Sequence, residues 1–300
     1  METYSMGNSA SPRVRALFEA VLVTFLWSSS YIFTKFGLTD IPPLTLVGLR
    51  YLIASLVLVP IALSRGEHHR ITGDAWWKLA VLGFLGYTVA QGLQCVGLSY
   101  LPAVTVTLIL NFTPLIVMIL NLLFTGEYPN RDQIAGMMLV LVGAVLFFSD
   151  KLGGYTLTGV LITFISGLGW AGYMVAGKIL FKEKRVSPLG NTAFAMGFGT
   201  AILSVSAYLV EGLNRIPVSG WVIIVWLGVV NTAVAFFLWN HALETLDAFE
   251  LSILQNTMLI QITILSMIFL GERLAPVKYL YMWLVFIGVF VVQTRGGDRN

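Results

Sequence analysis

Residues 101–127 read LPAVTVTLILNFTPLIVMILNLLFTGE, and residues 246–272 read LDAFELSILQNTMLIQITILSMIFLGE. A shift of 145 residues lays the first stretch on the second. Leu101 falls on Leu246, Ala103 on Ala248, Asn111 on Asn256, Phe124 on Phe269 and Gly126-Glu127 on Gly271-Glu272. The match runs without a gap from Trp76 to Gly143, with 19 identities in 68 positions. A biased apolar alphabet raises chance identity. It does not bring Trp76, Gly83, Asn111, Glu127 and Gly143 onto Trp221, Gly228, Asn256, Glu272 and Gly288 together. The chain is an internal duplication.

Composition places it in a membrane. Of 300 residues 57% are hydrophobic and 11% charged, against about 25% charged in a soluble domain. The net charge of +3 is small and dispersed, and no basic stripe points to nucleic acid. The one cysteine, Cys95, lies in an apolar run, so no internal disulfide forms. Arg13 and Arg15 precede an apolar run as in a signal peptide, but the run from Leu17 to Phe36 exceeds an h-region of about 7–15 residues. It reads as a retained first span.

Crossing a hydrocarbon core of about 30 Å takes about 20 apolar residues in a helix. That measure predicts ten spans: 16–37, 43–64, 76–98, 101–125, 131–149, 156–181, 189–210, 219–242, 246–270 and 277–294. The expected organisation is a cytoplasmic tail 1–15, a first repeat 16–150, a second repeat 155–294 and a cytoplasmic tail 295–300. Five spans per repeat is odd, so the second copy enters the membrane from the opposite side, an inverted-topology repeat. With the N-terminus inside, eleven basic residues (Arg13, Arg15, Arg65, Arg70, Lys78, Arg131, Lys182, Lys184, Arg185, Arg295, Arg299) face the cytoplasm. Four (Lys151, Arg215, Arg273, Lys278) face outside. The excess of inside charge predicts cytoplasmic termini, in a multi-pass protein of the prokaryotic plasma membrane.

At this point the chain resembles the drug/metabolite transporter superfamily of the EamA type. The residues that carry the resemblance are WSSSYIFTKFGL (27–38), Arg50-Tyr51, ILNFTPL (109–115), GEYPNRDQIAGMMLVLVGAVLF (126–147) and its second copy GERLAPVKYLYMWLVFIGVFVV (271–292). The resemblance covers nearly all of residues 15–295. It implies a ten-helix bundle and transport, usually efflux, of small metabolites such as amino acids. In the small multidrug-resistance branch a membrane-embedded Glu stands eight residues before a Lys-Phe pair and couples transport to protons. Here Trp27 holds that position before Lys35-Phe36, and Trp170 holds it in the second copy. The coupling carboxylate is absent from both halves, so a coupling proton has no identifiable carrier in the sequence.

The residues that could line a substrate pathway are uncharged polar and aromatic. Spans 4 and 9 carry polar stripes at helical spacing, Thr107, Asn111 and Asn121 in one, Ser252, Asn256 and Thr263 in the other. Such a face meets another helix or a water-filled cavity. Helix packing and pathway lining both remain open for Asn111 and Asn256. Tyr87, Gln91 and Gln94 share a face of span 3, and Asn231 stands mid-span in span 8. Trp27 with Tyr31, and Trp170 with Tyr173, stand about one turn apart beside small residues. Arg50 is an intramembrane charge that either binds a substrate carboxylate or serves a structural pair. Lys35 and Lys178 are expected to snorkel, Glu19 to sit at a rim, and Glu127 and Glu272 to cap the following helices. His241, Glu244, Asp247 and Glu250 read as a solvated turn rather than a metal or pH-sensing cluster. Pro114 removes the bond to the Leu110 carbonyl and predicts a hinge in the first copy; Leu259, its partner, is expected to restore the bond.

The favoured function is export of amino acids or related amines by alternating access of two halves. No cofactor or metal is expected, and a monomer is the default state. Transport or exchange of phosphorylated or sugar-linked metabolites is the alternative. A membrane enzyme would need a Ser-His-Asp grouping, paired carboxylates or metal-ligand spacing, none of which the spans offer; a non-transporting scaffold is the remaining reading. The topology has a direct check: a cysteine at position 184 is expected to react with an impermeant maleimide only from the cytoplasmic side, and labelling from outside would overturn the orientation.

Overall fold

The computed structural model describes residues 12–71, 73–126, 128–149, 156–270 and 275–295. The described residues hold ten membrane helices in two sets of five: α1 (Pro12–Gly37), α2 (Pro43–Ser64), α3 (Ala75–Tyr100), α4 in two pieces (Ala103–Leu110 and Thr113–Phe124), α5 (Arg131–Phe148), then α6 (Leu157–Lys182), α7 (Pro188–Glu211), α8 (Val218–Thr245), α9 in two pieces (Ala248–Gln255 and Met258–Leu270) and α10 (Pro276–Arg295). A turn of helix, Glu67–Arg70, follows α2. We call the side where α1 begins and α10 ends the terminal face, and the other the distal face.

The two copies meet at equivalent residues, which locates their pseudo-two-fold axis. Ser55 and Thr200, 145 apart, hydrogen-bond at 2.9 Å between α2 and α7. Asn256 donates through Nδ2 to the Asn111 carbonyl at 3.3 Å, again 145 apart. The rings of Trp27 and Trp170 meet edge to face at 5.6 Å.

Helix ends obey the same symmetry. Lipid offers no hydrogen bonds, so the last carbonyls of a span need partners from the protein. Lys35 supplies them to Leu98 (2.7 Å) and Leu101 (3.2 Å) at the end of α3. Lys178 supplies them to Leu243, Glu244 and Leu246 at 2.7–3.2 Å at the end of α8. These lysines therefore do not snorkel: Lys178 is 7% exposed and binds inward. At the other ends, the Glu211 carboxylate takes Leu44 N (2.9 Å) and Thr45 N (2.6 Å) at the start of α2. Glu67 accepts the Ser187 hydroxyl at the start of α7. Asn130 and Gln133 form a capping box on α5. Glu127 and Glu272 lie outside the described residues.

Both broken helices break at the asparagine. Asn256 (φ −66°, ψ −13°) and Phe112 (φ −82°, ψ −6°) adopt a tighter, 3₁₀-like turn. Leu259 N bonds the Asn256 carbonyl at 3.1 Å, three residues back, where an unbroken helix would bond Gln255. Leu259 thus does not restore the ladder, and the break does not need Pro114. The proline reinforces in one copy what the turn at asparagine produces in both.

Glycines set the helix crossings. At Gly83 in α3 an added Cβ would stand 2.3 Å from the Ala195 carbonyl of α7, and at its partner Gly228 in α8, 2.8 Å from Ile53 of α2. Immediately after each, the helix widens into a π turn, Phe84–Gly92 and Val229–Val234. α5 and α10 pack on each other through Gly136 and Gly288, each with the other's carbonyl within 2.7 Å of where a Cβ would be. Their outer faces, with Met138, Val142, Trp283 and Phe290, are exposed and meet lipid. Gly288→Leu is expected to cost about 1–3 kcal/mol through overpacking, read as a lower melting temperature in detergent. Gly73→Ala, with nothing within 4 Å, is expected to leave it unchanged.

Candidate functional site

A small cavity, with about 40 Å³ of space open to water, lies between α1, α2, α3 and α9, on the distal side of the tryptophan layer. Trp27, Ser30, Tyr31 and Thr34 line it from α1, Arg50 with Leu46 and Val47 from α2, Gln91, Gln94, Cys95 and Leu98 from α3, and Gln255 and Met258 from the two sides of the break in α9.

Arg50 is 8% exposed. Its Nε donates to Thr232 Oγ1 and its Nη2 to the Asn231 carbonyl at 3.1 Å. Both acceptors belong to the π turn of α8, where carbonyls leave the regular ladder. The Thr232 hydroxyl donates in turn to the Leu227 carbonyl at 2.8 Å, which turns its lone pairs toward Arg50. The guanidinium lies 5.6 Å from the Tyr51 ring centre. A central arginine in a span costs about 2.5–3.5 kcal/mol on insertion scales, and two neutral acceptors do not cancel its charge.

Tyr31 accepts from Gln94 Nε2 and is in hydrogen-bonding contact with Thr107 of α4. Gln255 Oε1 accepts Trp170 Nε1 at 2.8 Å. Among the described residues, the Gln91 amide, Gln94 Oε1 and Gln255 Nε2 have no protein partner, and all three residues line the cavity. Asn111 Nδ2 is buried at the break in α4 and also lacks a partner. Orphaned buried donors cost about 1–3 kcal/mol each, which marks this break as a place where packing does not dictate the side chain.

Beneath the cavity the chain is packed shut. Trp27 contacts Phe236 (5.1 Å) and Trp239 (4.8 Å), and Trp170 stacks on Tyr173 at 5.2 Å. Tyr87 and Tyr173 share a 3.0 Å hydrogen bond. Tyr173, Asn191 and Thr192 converge on Asn240 at 2.7–3.0 Å. Toward the terminal face, Arg13 pairs with Glu250 at 3.1 Å, Arg15 with Glu19 at 2.9 Å, and His241 meets the other Glu19 oxygen. Glu250 is 1% exposed and Glu19 7%. Within the turn between α8 and α9, Glu244 is exposed as expected, but Glu250 is buried and paired, and Glu19 is likewise buried rather than at a rim: the two carboxylates tie α1 to α8 and α9. No group of three metal-ligating side chains forms among the described residues.

Of the residues expected to line a pathway, Trp27, Tyr31, Arg50, Gln91 and Gln94 surround the cavity. Trp170 and Thr107 touch its wall through Gln255 and Tyr31. Tyr87 and Tyr173 lie in the sealed network below. Asn231 binds α1 at the Leu26 carbonyl and Ser29, and Ser252 turns back to its own helix at Phe249. Asn111 and Asn256 meet on the axis. Sequence reasoning passed over Gln255, although the cost of an amide in a span singles it out as it did Gln91 and Gln94.

The fold and cavity define a ten-helix membrane transporter with inverted halves. The chain belongs to the EamA-like transporter family, which it matches over residues 14–149 and 157–294. It is similar to an uncharacterized transporter of Bacillus subtilis (28% identity, 68% of this chain and 67% of the relative). It is also similar to a probable amino-acid metabolite efflux pump of Escherichia coli (23%, 91% and 92%) and to an Escherichia coli biotin transporter (25%, 79% of each). A solved crystal structure superposes with a TM-score of 0.79 at 21% identity, covering 96% of this chain and all of that one, which places the fold.

If the terminal-face ion pairs hold this side closed, their loss exposes the helices they cover. In a Cys95→Ser background, Ala20→Cys, fully buried beside Glu19, is expected to label slowly. Adding Glu19→Gln and Glu250→Gln is expected to raise the rate at least fivefold; an unchanged rate would remove the gating role.

Proposed function

We propose that this chain is a secondary transporter that moves small organic metabolites by alternating access of its two inverted halves, with export of amino acids or related amines as the favoured cargo and direction. The observation that carries this reading is an asymmetry between equivalent positions. Gln91, Gln94 and Cys95, which line the cavity, have Phe236, Trp239 and Asn240 as partners in the second copy, and these are buried at 0–1% exposure. Leu46 and Val47 have Asn191 and Thr192, both fully buried. One side of the tryptophan layer is a cavity and its symmetry-related side is filled. Exchanging the conformations of the two halves would close the first and open the second, which is what alternation requires.

The positive-inside count puts both termini in the cytoplasm, so the cavity lies toward the outside and the ion-paired face toward the cytoplasm. The named relatives support export of amino-acid metabolites as one option among several small organic cargoes. The lining offers one base, Arg50, where a phosphorylated cargo would draw on several, so the phosphate-linked alternative is disfavoured.

The test is flux in proteoliposomes with labelled amino acids, their metabolites and nucleotide sugars. Movement of at least one organic metabolite is expected. Asn111→Ala and Asn256→Ala are each expected to cut the rate about tenfold while the protein stays folded. Absence of flux for every compound would defeat the transporter reading, and wild-type flux in both variants would remove the axis asparagines from the pathway.

A further inference from the structure

We propose that Arg50 is a carboxylate receptor, and that the cargo of this cavity is an organic carboxylate or zwitterion rather than a simple amine. The inference rests on the transporter reading and narrows it.

Three observations converge. First, Arg50 is a buried cation without a countercharge: among the described residues no Asp or Glu oxygen lies within 4 Å of it, and no acidic residue lines the cavity. Buried charges are normally paired, so the cavity as it stands carries an uncompensated positive charge. Second, the guanidinium is oriented with part of its fork left over. Nε and Nη2 are held by Thr232 and the Asn231 carbonyl, while Nη1 has no partner among the described residues and is not a sealed atom. A carboxylate needs such a donor, and a guanidinium fixed in advance loses little entropy on binding it. Third, the internal symmetry does not call for this charge. The partner of Arg50 in the second copy is Ala195, which is buried without difficulty. The bundle tolerates an apolar residue at this position, so holding the fold together does not account for the arginine.

The rest of the lining fits the other parts of such a cargo. Gln94 Oε1 and the Gln91 amide oxygen can accept from an α-ammonium or an amide group. Trp27, Met258, Leu46 and Leu98 offer an apolar surface to a hydrocarbon body. A lone ammonium would enter against the arginine with no carboxylate to receive it, and like charges in a low-dielectric cavity repel. A zwitterion or a monocarboxylate neutralises the site on entry.

The experiment uses the full chain in proteoliposomes and three matched series, each with the acid, its amide and the amine lacking the carboxyl group: L-phenylalanine, L-phenylalaninamide and phenethylamine, with the corresponding sets for L-leucine and L-methionine. Flux of the acid at least tenfold above its amide and its amine is expected in at least one series. Arg50→Gln is expected to abolish that preference and cut acid flux at least tenfold, while Arg50→Lys keeps part of both. Because the substrate comparison is made in the unaltered protein, misfolding of a variant does not decide the question. An amide or amine carried as fast as its acid, or wild-type acid flux in Arg50→Gln, would overturn the carboxylate assignment and leave the transporter reading standing. No flux of any compound through folded protein would overturn both.

Discussion

A bilayer donates and accepts no hydrogen bonds, and much of this structure follows from that constraint. Every carbonyl or amide that leaves a helical ladder must be met from inside the protein. Lys35 and Lys178 are spent on the ends of α3 and α8 for this reason, and Glu211 on the start of α2. The same constraint explains why the departures from helical geometry are internal. The turns at Asn111 and Asn256 face each other across the axis, and the π turn of α8 presents the Asn231 carbonyl to Arg50. Irregular backbone occurs where side chains of the other half or a cavity can receive it.

Duplication supplies symmetry, and the chain departs from symmetry at the site. The lysine clamps, the crossing glycines, the tryptophans and the axis asparagines are shared by both copies. The cavity amides and Arg50 have apolar or polar-uncharged counterparts in the second copy, Phe236, Trp239 and Ala195. Gln91 and Gln94 face Phe236 and Trp239 as counterparts, so the two stages of a transport cycle would present different chemistry to a cargo.

The spans were legible in the sequence because proline, glycine and charge punctuate apolar runs, and every helix falls within a few residues of its expected bounds. Pairwise chemistry was less legible. Lys35 and Lys178 read as snorkelling because sequence gives their depth but not the helix end beside them. His241 and Glu250 read as solvated because their partners, Glu19 and Arg13, lie more than 200 residues away. The break in α9 was hidden for a different reason: proline is a strong local signal and asparagine a weak one, so Pro114 drew the inference while Asn256 made the same turn unaided. The cavity amides were visible in part, since Gln in a span is costly wherever it occurs, and that rule reaches Gln255 as well.

Alternation between the halves is the central claim, and paired distances measure it directly. Spin labels at Val14 and Thr245 report the terminal face, and labels at Tyr100 and Phe269 the distal face; all four positions are exposed. In liposomes, the distances are expected to move in opposition, so that each condition that lengthens one pair, a transported cargo included, shortens the other. Distances that vary independently, or a distal pair that closes while the terminal pair stays fixed, would contradict the account.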